Sequence, residues 1–283
     1  MKKILILLVS PVVFIPAAFA YIPPARMILQ RTAENAGGGV YSIEQEVQFN
    51  NAQDSLFLKE TWLIENDRTM KVTVTGTKDL KDQIKMQFVY AGGQRWSYNG
   101  SKQNSRISED FLEKYFNFRS TDQLASTLMN LKILPTNAFA KKPMPKNLET
   151  LKYEPDDFVR LSRAGGTVNY AFGVPSPVDG NGNPGFWIEQ DQFLVRKFRL
   201  PSQVEVTADN YNQYARGLNY PKVRTIRWGQ NTVTIRLIGV TSHRGSLPAN
   251  TFQASALDTN MKLDGLNSQP AKDVVLDFYS RFR

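Results

Sequence analysis

The chain of 283 residues contains no cysteine and a single histidine. Without cysteine there is no disulfide, no thiolate nucleophile or metal ligand, and no site for lipid acylation of a lipoprotein. The one histidine, His243, stands beside Arg244 and Gly245 in a turn-like context. It lacks the partners that a triad or a zinc site needs, and reads as a surface residue. Apolar runs of membrane-spanning length are missing after residue 20, as are repeats and low-complexity tracts. Glu44 and Glu46 alternate on the polar side of a strand pattern, with no converging acid or base. Asp179, Asn181 and Asn183 have the alternate spacing of a calcium loop. Pro184 fills the glycine position and Gln190 replaces the bidentate glutamate, so a turn-rich loop is the better reading. These absences argue against an enzyme, glycan hydrolases included, and imply no cofactor and no metal.

What is present begins with a leader. Lys2 and Lys3 precede an apolar stretch from Ile4 to Phe19, and Ala18-Phe19-Ala20 fits a small-residue cleavage site. Pro11 and Pro16 interrupt the stretch, which disfavours an uncleaved anchor. Residues 1–20 are therefore expected to be a signal peptide. An exported, disulfide-free chain fits a bacterial periplasm. The net charge of +9 favours acidic partners or anionic membrane surfaces. The basic residues are scattered and the chain is exported, which argues against nucleic acid.

After Pro23-Pro24, "ARMILQRTAEN" reads as a helix stopped by Gly37-Gly38-Gly39. "YSIEQEVQF" then alternates, with Tyr41, Ile43, Gln45, Val47 and Phe49 on one side. "SLFLKETWLIE", "TMKVTVTGT", "QIKMQFVY" and "QRWSYNG" continue as an antiparallel meander. The period then changes: Ser108 is expected to cap a helix "EDFLEKYFNF", and Thr121 a second, "DQLASTLMNLKIL". "DFVRLSRAGG" and "TVNYAFG" form a hairpin pattern, followed by a long loop and the hairpin "FWIEQDQFLVRKFRL". In that hairpin Trp187 and Phe193 supply apolar surface, and Arg196, Lys197 and Arg199 a basic rim. Gln203–Trp228 and Asn231–Ser242 close the strand-rich half, and "AKDVVLDFYSRFR" ends as a helix with Val274, Val275, Phe278 and Phe282 on one side.

About eleven antiparallel strands in one sheet must twist and curl, so the pattern predicts a mainly β fold: an incomplete, half-open antiparallel barrel with covering helices. Residues 21–283 are expected to form a single domain with a C-terminal helical extension; the alternative is two domains divided near Pro135 to Lys146. A curled sheet has an inner face that side chains, helices or a ligand must fill.

The order of helix, meander, helical interruption and further strands resembles the LolA/LolB-like family of periplasmic outer-membrane lipoprotein-sorting proteins. "YSIEQEVQF", "ETWLIENDRTMKVTV", "YAGGQRWSYNG", "FWIEQDQFLVRKFRL" and the closing "NYPKVRTIRWGQNTVTIRLIGVTSHRGSLPANTFQ" carry the likeness. The resemblance implies a carrier or binder of lipoprotein acyl chains or other lipid in an apolar cavity, acting as a monomer with a membrane-protein partner. The alternative on the same fold is a periplasmic sensor or protein-interaction module. The candidate cavity residues are the in-phase apolar ones, Val47, Phe49, Leu58, Trp62, Val72, Met86, Phe88 and Trp96; plain core packing is the alternative for these and for the lid residues, since most strand faces simply pack. The lid residues are Phe111, Leu112, Phe116, Leu128 and Met129. In such carriers a basic residue near the second-strand turn latches the lid; Arg68 is the nearest here, at a longer spacing from Trp62. The loop from Gly173 to Gly185 and the tail after Phe252 exceed the compact family pattern.

Overall fold

The computed structural model describes residues 21–50, 55–140, 156–173, 182–257 and 260–283. The expected leader, and Asp179 and Asn181 of the calcium-like loop, lie outside the described residues. Thirteen strands form one antiparallel sheet in the order β6-β5-β4-β3-β2-β1-β13-β12-β11-β10-β9-β8-β7. The sheet does not close: β6 and β7 are its two edges. The fold is the mainly β, half-open barrel that the alternation implied.

The first meander comprises β1 (Tyr41–Asn50), β2 (Ser55–Asn66), β3 (Thr69–Gly76), β4 (Lys85–Ala91), β5 (Gln94–Asn99) and β6 (Ser101–Arg106). The second comprises β7 (Val159–Ala164), β8 (Thr167–Gly173), β9 (Gly185–Glu189), β10 (Val195–Arg199), β11 (Glu205–Gln213), β12 (Asn219–Trp228) and β13 (Asn231–Ser242). Antiparallel pairing of β1 with β13, Tyr41 opposite Ser242, joins them. Two strands exceed the expected number. β6, "SKQNSR", is exposed along its length and has no apolar phase to detect. The stretch from Gln203 to Trp228 is divided into β11 and β12 by a turn in which Arg216 and Gly217 adopt positive φ.

Burial follows the side-chain period of two. Buried and half-buried positions alternate strictly through Phe49 in β1, and along β3. The inner rows run across strands: Ile43, Trp62, Val72 and Phe88 in one, Gln45, Glu60, Val74 and Met86 in another. A further row holds Phe49, Val233, Ile226, Val206, Phe198, Phe186 and Phe172.

Among the described residues three α-helices accompany the sheet: α1 (Ala25–Glu34), α2 (Thr121–Asn130) and α3 (Lys272–Arg281). α1 buries Ile28, Leu29 and Thr32, while Met27 stays exposed. It ends before Gly37, whose φ of +61° suits glycine; a Cβ there would lie 2.7 Å from the Leu218 backbone nitrogen. The expected helix after Ser108 is only a short 3₁₀ turn, Glu113–Phe116. Phe111, Leu112, Tyr115, Phe116 and Phe118 are all buried, so this segment has no wet helical face to maintain. α2 is capped one residue earlier than expected, by Ser120, whose Oγ accepts from the Gln123 amide.

Candidate functional site: an occupied inner face

Seven expected cavity residues share the inner face: Val47, Phe49, Leu58, Trp62, Val72, Met86 and Phe88 are buried in one apolar cluster. Trp96 does not join them. It pairs with Val89 on the outer face, and the inward positions of β5 belong to Arg95, opposite Tyr90, and Ser97, opposite Phe88. The glycine turn after Ala91 sets this register, which places a serine inward and the larger tryptophan outward.

Chain segments cover the inner face. Phe111 stacks on Tyr90 at 4.4 Å between ring centres and lies 6.3 Å from Trp62. Phe116 sits 5.8 Å from Phe198 and 6.3 Å from Tyr220. Leu112 and Leu128 are buried with them, and Met129 is partly buried against the same cluster. All five expected lid residues therefore lie in the cover. Arg68 does not bridge to that cover: among the described residues its one ion pair is with Asp67, 3.6 Å away in the same turn.

The remaining groove holds α3. Phe278 meets Phe49 edge-to-face at 5.3 Å, Phe282 meets Trp228 at 5.0 Å, and Tyr279 lies 6.1 Å from Phe49. The indole of Trp228 donates to Asp277 at 2.7 Å, and Arg95 donates to the Tyr279 carbonyl at 2.9 Å. The tail of the sequence, an extra element in the expected pattern, thus packs on the apolar inner face of the sheet.

Beneath α3 lies a buried polar network. Glu60 accepts from Arg283 Nε at 3.0 Å, from the Trp62 indole at 2.8 Å and from Gln45. Glu113 accepts from Arg224 at 2.9 Å and from the Tyr220 hydroxyl, and Arg224 also donates to Gln45. Arg283 Nη1 stands 3.9 Å from Glu113, which links the two ion pairs. Burial pushes Glu60 up, but the Arg283 charge and the hydrogen bonds from Arg283, Trp62 and Gln45 outweigh it and hold the carboxyl below its ordinary value. Burial likewise opposes the Arg283 charge, and Glu60 and Glu113 overcome it. Sequence reading missed this network, although a signal was there: Gln45 and Glu60 interrupt otherwise apolar phases of β1 and β2.

Two of the three cations of the expected basic rim of the β9–β10 hairpin are held by one carboxylate. Lys197 and Arg199 share Glu205, at 2.7 and 2.8 Å. The hairpin's acidic tip organises its own turn: Glu189 accepts from the Asp191 and Gln192 amides at 3.1 and 2.9 Å. His243 is held at a strand end, its amide donating to the Val40 carbonyl. Among the described residues no three His, Cys, Asp or Glu side chains converge as metal ligands, and no helix is long and apolar enough to cross a membrane.

No protein-family model matches the sequence, and no curated protein matches it. Solved structures do match. A LolA superfamily protein of Nitrosomonas europaea aligns at TM-score 0.52 and 13% identity, covering 83% of this chain and 100% of that one. A putative outer membrane lipoprotein-sorting protein domain from Vibrio parahaemolyticus aligns at TM-score 0.47 and 15% identity, covering 82% and 97%. A DUF1329 family protein from Desulfovibrio piger aligns at 0.47 and 12%, covering 84% and 100%. At such identities the likeness concerns architecture, and the first of the three carries it. The thirteen-stranded open sheet with helices on its inner face is a LolA-like fold.

Proposed function

We propose that the chain is a non-enzymatic periplasmic binder of acylated or otherwise amphiphilic ligands, and that α3 is the stand-in occupant of the ligand groove. One observation carries the reading: α3 is seated on the apolar inner face through a charged network as well as through aromatic packing. A permanent core is served as well or better by apolar residues, because buried ion pairs rarely repay their desolvation. A segment that docks in one register and can leave again has a use for them. The gain for an incoming chain is about 0.8 kcal/mol per methylene removed from water, so a chain of ordinary acyl length can compete with a ten-residue helix.

A second reading rests on the same groove. Its present occupant is an amphipathic helix, so a helix of a protein partner would fit there too, as in an interaction or sensor module. Amide hydrogen exchange on the intact chain separates the two. Addition of a fluorescent fatty acid should raise exchange across 272–281 as α3 is displaced. A chain shortened before Lys272 that captures an amphipathic helical peptide but not the fatty acid favours the interaction module. The acyl reading fails if neither the intact chain nor Arg283→Ala, in which α3 is weakened, binds the fatty acid.

A further inference from the structure

We propose that the cleft between the β2–β3 turn, the β4–β5 turn and α2 binds a phosphate-monoester group. This goes beyond the acyl-binding reading and does not depend on it, because the cleft is separate from the groove that α3 fills. It has a volume of about 800 Å³ and is lined by four cations, Arg68, Arg106, Lys114 and Arg119, against one carboxylate, Asp67. An adjoining hollow of about 400 Å³ shares Arg106 and Lys114 and adds Glu109 at its margin.

The convergence of these cations sets the cleft apart. Several less exposed cations elsewhere are matched with carboxylates: Arg224 with Glu113, Arg283 with Glu60, Arg281 with Asp110, and Lys197 and Arg199 with Glu205. In the cleft, Arg106, Lys114 and Arg119 make no ion pair among the described residues. Lys114 is half-buried, and its Nζ donates to the Ser108 carbonyl at 3.3 Å. Arg119 is half-buried, donates one Nη2 hydrogen to the Gly39 carbonyl at 2.7 Å, and keeps a buried Nε without a partner. Asp67 is sunk beneath the rim, with its side chain 4% exposed, and is engaged by Arg68.

Half-buried cations that no carboxylate contacts directly cost stability unless something supplies the missing ion pair. Guanidinium forks match tetrahedral oxyanions, and a nearby ammonium adds a point charge. The polar lining from Ser120, Gln123 and Thr127 supplies further hydrogen-bonding groups. The volume exceeds that of a bare phosphate, which leaves room for the organic part of an ester. Such an ester can be a lipid headgroup or a soluble metabolite.

The test uses the intact chain. Inorganic phosphate is titrated by calorimetry in chloride buffer, and vesicles of phosphatidylcholine with one-tenth phosphatidic acid are used in co-sedimentation. Arg119→Gln and Lys114→Met should each weaken phosphate binding at least tenfold, while Arg163→Gln on the distant β7 leaves it unchanged. Lys114→Met should at the same time raise the melting temperature, a combination that a merely structural lysine would not give. Sedimentation with the vesicles that inorganic phosphate competes away identifies a headgroup; phosphate binding without sedimentation identifies a soluble ester. Absence of binding to either probe, or binding that both cleft variants leave unchanged, overturns the proposal.

Discussion

Arg283 Nε lies 3.0 Å from Glu60 Oε1, with both side chains wholly buried although 223 positions separate them in the chain. The guanidinium also lies 5.3 Å from the Trp62 ring and 4.9 Å from that of Phe278, between the sheet and the helix. This pair is the polar lock between the inner face and the end of the chain that follows α3. Removing one partner strands the other charge, which costs about 3–5 kcal/mol. Arg283→Met alone should therefore destabilise by that order in urea unfolding. The double variant Arg283→Met with Glu60→Gln should recover much of the loss, and a double-mutant cycle measures the coupling.

The same lock should respond to acid. Glu60 and Glu205 are both held below the ordinary carboxylate value of 4.5. A depressed folded-state value adds stability that is present above the unfolded value and is lost as pH falls through the folded one. Stability should decline as pH drops below about 4.5, and Glu60→Gln should flatten part of that decline. Chemical denaturation at a series of pH values checks the slope.

Lys114 should act in the opposite sense. Burial lowers it to about 8 from 10.5, with Glu109, Asp110 and Asp67 pulling it partly back. Below about 8 both states carry the charge, and the folded state bears the desolvation penalty. Between about 8 and 10.5 the folded state releases its proton first, so stability should rise with pH across that window. Thermal melts of the native chain and of Lys114→Met should converge as pH passes 10.5.

Gly37→Ala should destabilise by about 1–3 kcal/mol, because φ of +61° is unfavourable for alanine and the new methyl would press on the Leu218 amide. Gly38→Ala, with open space around its Cβ position, should be close to neutral. Paired melting curves test the contrast.

Shortening Glu189 to alanine frees the Asp191 and Gln192 amides that its carboxylate now accepts from. A loss of about 1–3 kcal/mol is expected, measured by urea unfolding.

The strands were readable because one wet face and one dry face impose strict alternation, as in β1 and β3. β6 escaped because an edge strand exposed throughout needs no apolar phase. The segment from Phe111 to Phe118 misled for the opposite reason: aromatic residues buried on all sides mimic a helical stripe without requiring a helix. Trp96 failed on phase alone, since the turn residues, and not side-chain size, decide which way β5 faces. The position of α3 was illegible in principle. Val275, Phe278 and Phe282 make the same pattern whether the helix packs outside the sheet or within it. The cleft cations are dispersed from Arg68 to Arg119, and only the turns at Asp67 and Gly92-Gly93 bring them together.

The β1–β13 seam also sets an order of assembly. Tyr41 to Phe49 must wait for Val233 to Ser242, the last strand in the chain, before both of their edges are paired. Until then the nascent protein presents β1 as an open strand bearing Val47 and Phe49, a surface that invites pairing with other chains. Because so distant a closure must await the synthesis of the second meander, one edge of β1 stays unpaired for that interval.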